Sequence, residues 1–169
     1  MTQPLVVQLR FARSEFARCL QGLTLTDDDA RKRLGPMNSI SWMIGHLANQ
    51  EHFYWCILGQ EKFVAPGLND LVGTGKPAST PPLDEMCDVW RLVTGTADPF
   101  LDSLQAAQLT TFLEFNGKPA RESIGTMLLR NIYHYWFHTG EAHAVRQQLG
   151  HGELPQFVGS MAEAFYRVE

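Results

Sequence analysis

Asn131-Ile132-Tyr133-His134-Tyr135-Trp136-Phe137-His138-Thr139-Gly140-Glu141 is the stretch from which the fold can be read. On a helical wheel at ~100° per residue, His134 and His138 stack one turn apart and Glu141 falls close to the same line. Met127 and Val145 extend that line, and Ile124, Leu128, Tyr135, Ala142 and Leu149 complete an apolar arc around it. The spacing predicts a helix from about Arg121 to Leu149, stopped by Gly150. Its buried face would carry two imidazoles and a carboxylate.

Three more stretches show the same periodicity. The first, about Gln3 to Gly22, has Leu5, Leu9, Ala12, Phe16, Cys19, Leu20 and Leu23 on one face. The second, about Ser39 to Leu58, has Asn38 or Ser39 as N-cap and Gly59 as stop. Its core arc is Met43, His46, Leu47, Gln50, Phe53, Tyr54 and Ile57, with His52 on a different face. The third, about Leu83 to Leu104, starts after Pro81-Pro82, and Pro99 predicts a kink or break within it.

Between the second and third helices, Gln60 to Pro82 is long, irregular and rich in glycine and proline. A connection of that length is a crossover or a functional loop. Thr111 to Phe115 alternates and is followed by Asn116-Gly117, which suits a two-residue hairpin turn. The fold class that follows is all-α: a four-helix bundle with one long crossover loop and a small β-hairpin before the fourth helix. An α/β fold would need strands alternating with the helices, and the sequence offers none. The whole chain, 1–169, reads as one domain with a short C-terminal helical extension from about 155, its helix covering Ser160 to Arg167.

Charge narrows the partners. Fourteen Lys and Arg against eighteen Asp and Glu give a net charge of −4, which argues against nucleic acid as a partner. The one basic run, Arg31-Lys32-Arg33, reads as a solvated turn. No apolar run reaches the ~20 residues of a membrane span, and Met1-Thr2-Gln3-Pro4 lacks the positive start of a signal peptide. Cys19, Cys56 and Cys87 have no CxxC spacing and read as free thiols in a reducing cytoplasm rather than as nucleophiles.

Two His at i and i+4 can direct nitrogens to one point, and His46 on a neighbouring helix can close a three-nitrogen site. Imidazole suits Zn, Ni, Fe or Cu, and three protein ligands leave a position for water or substrate. The alternative is that all three are ordinary hydrogen-bonded core residues. No HExxH and no Glu-x-x-His occurs, so neither a zincin nor a ferritin-like di-iron site is indicated. One turn beyond His138 and His46 lie Glu141 and Gln50. Either could orient a ligand imidazole, and Glu141 could act as a general base. Otherwise Glu141 pairs with Arg130 or Arg146 or reaches solvent. Tyr54, Tyr135, Trp42 and Trp136 either line a pocket or fill the core.

At these residues the chain resembles a known family. Asn38-Ser39-Ile40-Ser41-Trp42-Met43-Ile44-Gly45-His46-Leu47-Ala48 resembles the second-helix signature of the DinB-like superfamily, and Asn131 to Glu141 resembles its fourth-helix signature. The resemblance spans about residues 3 to 150. It implies an up-down-down-up four-helix bundle, a divalent metal (Zn, Ni or Fe) held by His46, His134 and His138, and often a homodimer. It also implies activities such as bacillithiol or mycothiol S-transfer, or mycothiol-dependent maleylpyruvate isomerisation. The expected function is therefore a divalent-metal-dependent bacterial enzyme, a thiol S-transferase or a hydrolase, using a low-molecular-weight thiol in the first case. The alternatives are a non-catalytic metal-containing binding or stress-associated protein, and a structural dimer without metal. Thr139 departs from the family, which often has Arg there.

The fourth helix also carries a second apolar stripe. Leu129, Ile132, Trp136 and His143 lie about 160–220° from His134 on the wheel. The C-terminal segment, with Phe157, Val158, Met161, Phe165 and Tyr166, could cover part of it. The other cover is the same helix of a second subunit, which predicts a homodimer with this helix at its interface.

Overall fold

Each long helix begins where a side-chain oxygen or a proline can start one. The computed structural model describes residues 2–21, 26–156 and 158–165. Helix α1, Pro4–Leu20, opens with proline at its first position and Gln3 Oε1 accepting from the Leu5 and Val6 amides. A five-residue helix α2, Asp27–Arg31, is capped by Thr26. Ser39 Oγ accepts from the Trp42 amide at 3.2 Å and starts α3, Ile40–Glu51. From His52 to Leu58 the same helix continues as a π-helix, ending at Gly59. Inside the predicted crossover loop a five-residue helix α4, Leu68–Val72, follows Gly67, whose φ is 79°. Helix α5 spans Leu83–Ser103 and a 3₁₀ turn spans Ala106–Thr110.

Strands β1, Phe112–Phe115, and β2, Lys118–Ser123, form the expected hairpin. Asn116 and Gly117 both have positive φ, 52° and 71°, as a type I′ turn needs. Ser123 then caps α6, Ile124–Gln148. The fourth helix thus starts three residues later than predicted, because Arg121–Ser123 pair in the hairpin instead. Helix α5 runs through Pro99 without a break. Buried Ala97 and Leu101 on either side hold that helix against the core.

Side-chain pairings give the topology. Cys19 Sγ donates to the Thr139 carbonyl and Phe11 meets the Trp136 ring, so α1 and α6 run parallel. Cys56 Sγ donates to the Val93 carbonyl, and Gly45 and Gly59 face Met86 and Phe100, so α3 and α5 run parallel. Trp55 bonds Asn131 while His46 meets His138, which sets α3 antiparallel to α6. Arg10 and Arg13 bond Asp102 and Asp98, which sets α1 antiparallel to α5. The result is an up-down-down-up four-helix bundle.

A buried ion pair crosses the largely apolar core. Arg13 donates through Nε and an Nη to both carboxylate oxygens of Glu51, which is wholly buried, and through its other Nη to Asp98. Tyr135 O–H donates to Glu51 at 2.6 Å and accepts from Trp90 Nε1 at 2.7 Å. This network joins all four long helices. Among the described residues no helix is long and apolar enough to cross a membrane.

Two expectations need correction. The part of the second stripe at Ile132 and Trp136 is covered by α1: Ile132 is buried and Trp136 lies 6.0 Å from the Phe11 ring, while Leu129 is exposed. The predicted dimer interface at Ile132 and Trp136 is therefore occupied within the chain. The described part of the predicted C-terminal helix, Ser160–Phe165, forms only a turn. Its backbone groups are claimed by α1, with Gln8 donating to the Ala164 carbonyl and the Gly159 amide donating to Glu15. Leu23, Phe157 and Tyr166 lie outside the described residues.

Candidate metal centre

His46 sits in the middle of α3, and His134 and His138 sit one turn apart on α6. The antiparallel crossing of the two helices brings them together. One ring nitrogen from each lies within 4.8 Å of the other two. Gly45 is what lets α4 approach this part of α3. A Cβ there would sit 2.5 Å from Met86 Sδ and 3.2 Å from a Val72 methyl. With glycine in place, the Val72 carbonyl reaches His46 Nδ1 at 2.8 Å.

Each of the three imidazoles has its Nδ1 tied to an acceptor. A carbonyl accepts only, so His46 Nδ1 must carry the proton toward Val72. His138 Nδ1 donates to Glu141 Oε2 at 2.8 Å. The third assignment follows from the indole of Trp55, a pure donor. Trp55 Nε1 donates to Asn131 Oδ1 at 2.6 Å, which turns Asn131 Nδ2 toward Gln50 Oε1 at 2.5 Å. Gln50 Oε1 is thereby fixed as an acceptor and takes the His134 Nδ1 proton at 3.0 Å. All three Nε2 atoms are left as bare lone pairs.

Those of His134 and His138 lie 3.0 Å apart. Two lone pairs at that distance oppose each other unless a cation or proton lies between them. The donor set is three neutral imidazole nitrogens, each oriented from its other nitrogen, which is the arrangement borderline divalent metals take. Burial and the neighbouring imidazoles push the His134 pKa down to about 3, and burial lowers that of His46. Both rings therefore stay neutral at physiological pH. The Trp42 indole stacks on His46 with centroids 4.3 Å apart and holds its plane.

The group opens into a cleft of about 1080 Å³ that His46 and His134 line. The π-helix forms one wall through Phe53, Tyr54 and Ile57. Single π-helical insertions recur at functional sites because they re-aim side chains. The outer face of α6 forms the other wall through Leu129, Tyr133 and Phe137. His52 supports the rim: its Nε2 accepts from the Val64 and Ala65 amides at 3.1 and 3.3 Å.

The structure sorts the expected site residues. His46, His134, His138, Gln50 and Glu141 come together, and Tyr54 lines the cleft. Tyr135 does not; it is wholly buried, with its hydroxyl bonded to Glu51 and Trp90. Glu141 bonds neither of the arginines considered for it: Arg130 pairs with Glu122, and Arg146 holds the Cys19 and Gln21 carbonyls. Its carboxylate lies at Nδ1 of His138, the other flank of the ring from the bare Nε2. Cys19 and Cys56 are buried, and burial pushes both thiols up to about 11, outside the range of a nucleophile at neutral pH. Sequence reasoning missed Trp55, Asn131 and the Val72 carbonyl. Asn131 stood in the decisive stretch, and its position one turn before His134 was the available signal.

The bundle and its three-His group can now be set beside known proteins. The model of the DinB superfamily matches residues 8–142. The chain belongs to the DinB superfamily. A crystal structure of a conserved protein from Enterococcus faecalis shares the fold of this DinB protein with a TM-score of 0.65. The two are 16% identical, and the match covers 89% of this chain and 98% of that one. No curated protein matches the sequence. Thr139, where the family often has Arg, is buried with its carbonyl accepting from Cys19 of α1, and in this DinB protein it does not line the cleft.

Proposed function

We propose that this protein is a divalent-metal-dependent enzyme whose metal is held by Nε2 of His46, His134 and His138, and that it transfers a thiol to an electrophile or hydrolyses its substrate. The observation that carries the reading is the set of three Nδ1–H groups, each anchored to its own acceptor, leaving three lone pairs aimed together at the floor of an open cleft. When bound there, zinc, nickel or iron would supply Lewis acidity, which favours the anion of a thiol or of water near neutral pH. In this reading Gln50 and Glu141 hold the imidazole planes and tautomers. Glu141 is a positioning residue, because its carboxylate is committed to His138 Nδ1. The aromatic walls hold the electrophile and exclude water. With Cys19 and Cys56 buried and Cys87 away from the cleft lining, a transferred thiol would come from outside the chain.

The test is metal content after reconstitution. Protein loaded with Zn²⁺, Ni²⁺ or Fe²⁺ and desalted should retain about one ion per chain. His138→Ala should lose it while keeping its helical circular dichroism. No retained metal in the wild type overturns the assignment. Thiol-dependent consumption of an electrophile separates S-transfer from hydrolysis. Full metal occupancy with neither activity favours a binding protein. The proposal also includes a homodimer in the cytoplasm, with its interface away from Ile132 and Trp136. A one-chain mass in sedimentation equilibrium at micromolar concentration overturns the dimer.

A further inference from the structure

Thr126, Arg130, His134 and His138 follow one another at four-residue steps along α6, and Leu129, Tyr133 and Phe137 form the row beside them. All of these except His138 line the cleft. One wall is therefore a polar row with an apolar row alongside. In it Arg130 stands one turn from His134, about 5–6 Å between Cβ atoms. The chain carries eighteen acidic residues, yet among the described residues no Asp, Glu or Lys lines the cleft. Burial keeps His46, His52 and His134 neutral, so Arg130 is the fixed charge of the lining.

The guanidinium is bonded along one edge. Its Nε donates to Glu122 Oε2 at 2.8 Å and one Nη donates to the other carboxylate oxygen. That leaves both N–H groups of the second Nη and one of the first, which together form the outer fork of the planar group. Glu122 belongs to strand β2 and does not line the cleft, so a ligand there meets the cation and not its counter-ion. A planar fork of this kind pairs with a carboxylate through two parallel hydrogen bonds. Beside it, Phe137 is 68% exposed and Tyr133 65%. Rings this open are surface that a ligand would remove from water.

We infer that the cleft binds a small aromatic carboxylate, its carboxylate on the outer fork of Arg130 and its ring against Tyr133 and Phe137. Arg130 is thus the residue that selects the charge of the ligand. A carboxylate taken from water at this point regains charge-assisted hydrogen bonds that a neutral isostere does not. The far end of such a ligand lies along α6 towards His134, where a donor atom would meet the ion; that last contact alone rests on the metal reading. A divalent ion on the histidines would act in the same direction, because its charge has the same sign as that of Arg130.

A matched pair of ligands tests this on the whole chain, titrated calorimetrically as purified and after chelator treatment. 2-Naphthoate is anionic at pH 7.5, and 2-naphthamide has the same skeleton without the charge. The wild type should bind naphthoate about tenfold or more tightly than the amide, the scale of a hydrogen bond to a charged group. Arg130→Gln should cut that preference about tenfold in either metal state and leave the amide unchanged, and Arg130→Lys should keep part of it. Glu122→Gln breaks the same ion pair but keeps the cation, so it should hold or strengthen naphthoate binding. Phe137→Ala should weaken both ligands severalfold. The inference is overturned by naphthoate binding no tighter than the amide, by a preference that survives Arg130→Gln, or by binding of both ligands indifferent to Phe137→Ala. Equal losses in Arg130→Gln and Glu122→Gln also overturn it, because the pair would then act only as an anchor for the hairpin. Zinc retention is measured on separate samples. If none is retained, the metal reading fails while the effect of Arg130→Gln still decides this one.

Discussion

The Trp55 indole and Asn131 are joined by a 2.6 Å hydrogen bond, and that bond sets the proton position on His134. Both residues are wholly buried. Asn131→Ala should strand the indole N–H and release the Gln50 amide to rotate. The expected cost is about 1–3 kcal/mol in chemical denaturation for the orphaned buried donor. Zinc affinity should fall about 10–100-fold in a chelator competition, the usual effect of losing a partner that orients a ligand. Unchanged zinc affinity beside a loss of stability would make the chain of bonds purely structural.

Glu141 should behave as an anchor for His138. Glu141→Ala should weaken metal binding by about 10–100-fold. Glu141→Gln keeps an acceptor oxygen for Nδ1 and should recover most of that loss. Turnover lost in Glu141→Gln at full metal occupancy would instead make the carboxylate a proton acceptor in the reaction.

The Arg13–Glu51 pair gives a prediction about stability alone. Arg13→Met leaves Glu51 buried with only the Tyr135 hydroxyl as partner. Breaking a buried pair on one side costs about 3–5 kcal/mol. The double change Arg13→Met with Glu51→Leu should recover part of it, read as a shift in the urea midpoint. A double variant no more stable than the single one would mean that Trp90 and Tyr135 depend on the carboxylate more than Arg13 does.

His52 should make stability depend on pH. Burial lowers its pKa below the ordinary imidazole value of about 6.5, and its Nε2 must be unprotonated to accept from Val64 and Ala65. A depressed folded-state value means the stabilisation is complete above about pH 6.5 and is lost as pH falls through the folded value. His52→Phe should cost about 1–3 kcal/mol at pH 7.5. The gap from wild type should narrow as pH falls from 6 to 5, measured on chelator-treated protein. A gap that is constant with pH would remove the imidazole from the account.

The sequence disclosed what local chemistry and regular periodicity encode. Ser39 as a cap, Asn116-Gly117 as a turn and the shared face of His134 and His138 all follow from short-range rules. His46 joined them because α3 is regularly α-helical as far as Glu51. Beyond that residue the wheel fails. Trp55 falls about 180° from His46 at ~100° per residue, yet it is wholly buried, while Phe53, placed on the core arc, is exposed. Hydrogen bonding from i to i+5 changes the angle per residue, and no composition signal announces it. Helix α4 escaped because five residues are too few to show a period. The Arg13–Glu51 pair left no local signal because it joins residues far apart in the chain. The covered stripe at Trp136 needed knowledge of which helix lies beside α6.

The π-helical stretch has a consequence for how such a protein can diverge. It amounts to one residue more than an α-helix would need over the same rise, housed between the donors on α3 and the connection to α4. His46, His134 and His138 lie outside it. Deleting a residue near Tyr54 would swing Ile57 and its neighbours to new bearings without altering the spacing from His46 back to Ser39. Trp55 belongs to the same stretch, so the deletion would also move the indole that fixes Asn131 and, through Gln50, His134. One residue of length in this stretch therefore bears at once on the cleft wall and on the orientation of an imidazole across from it.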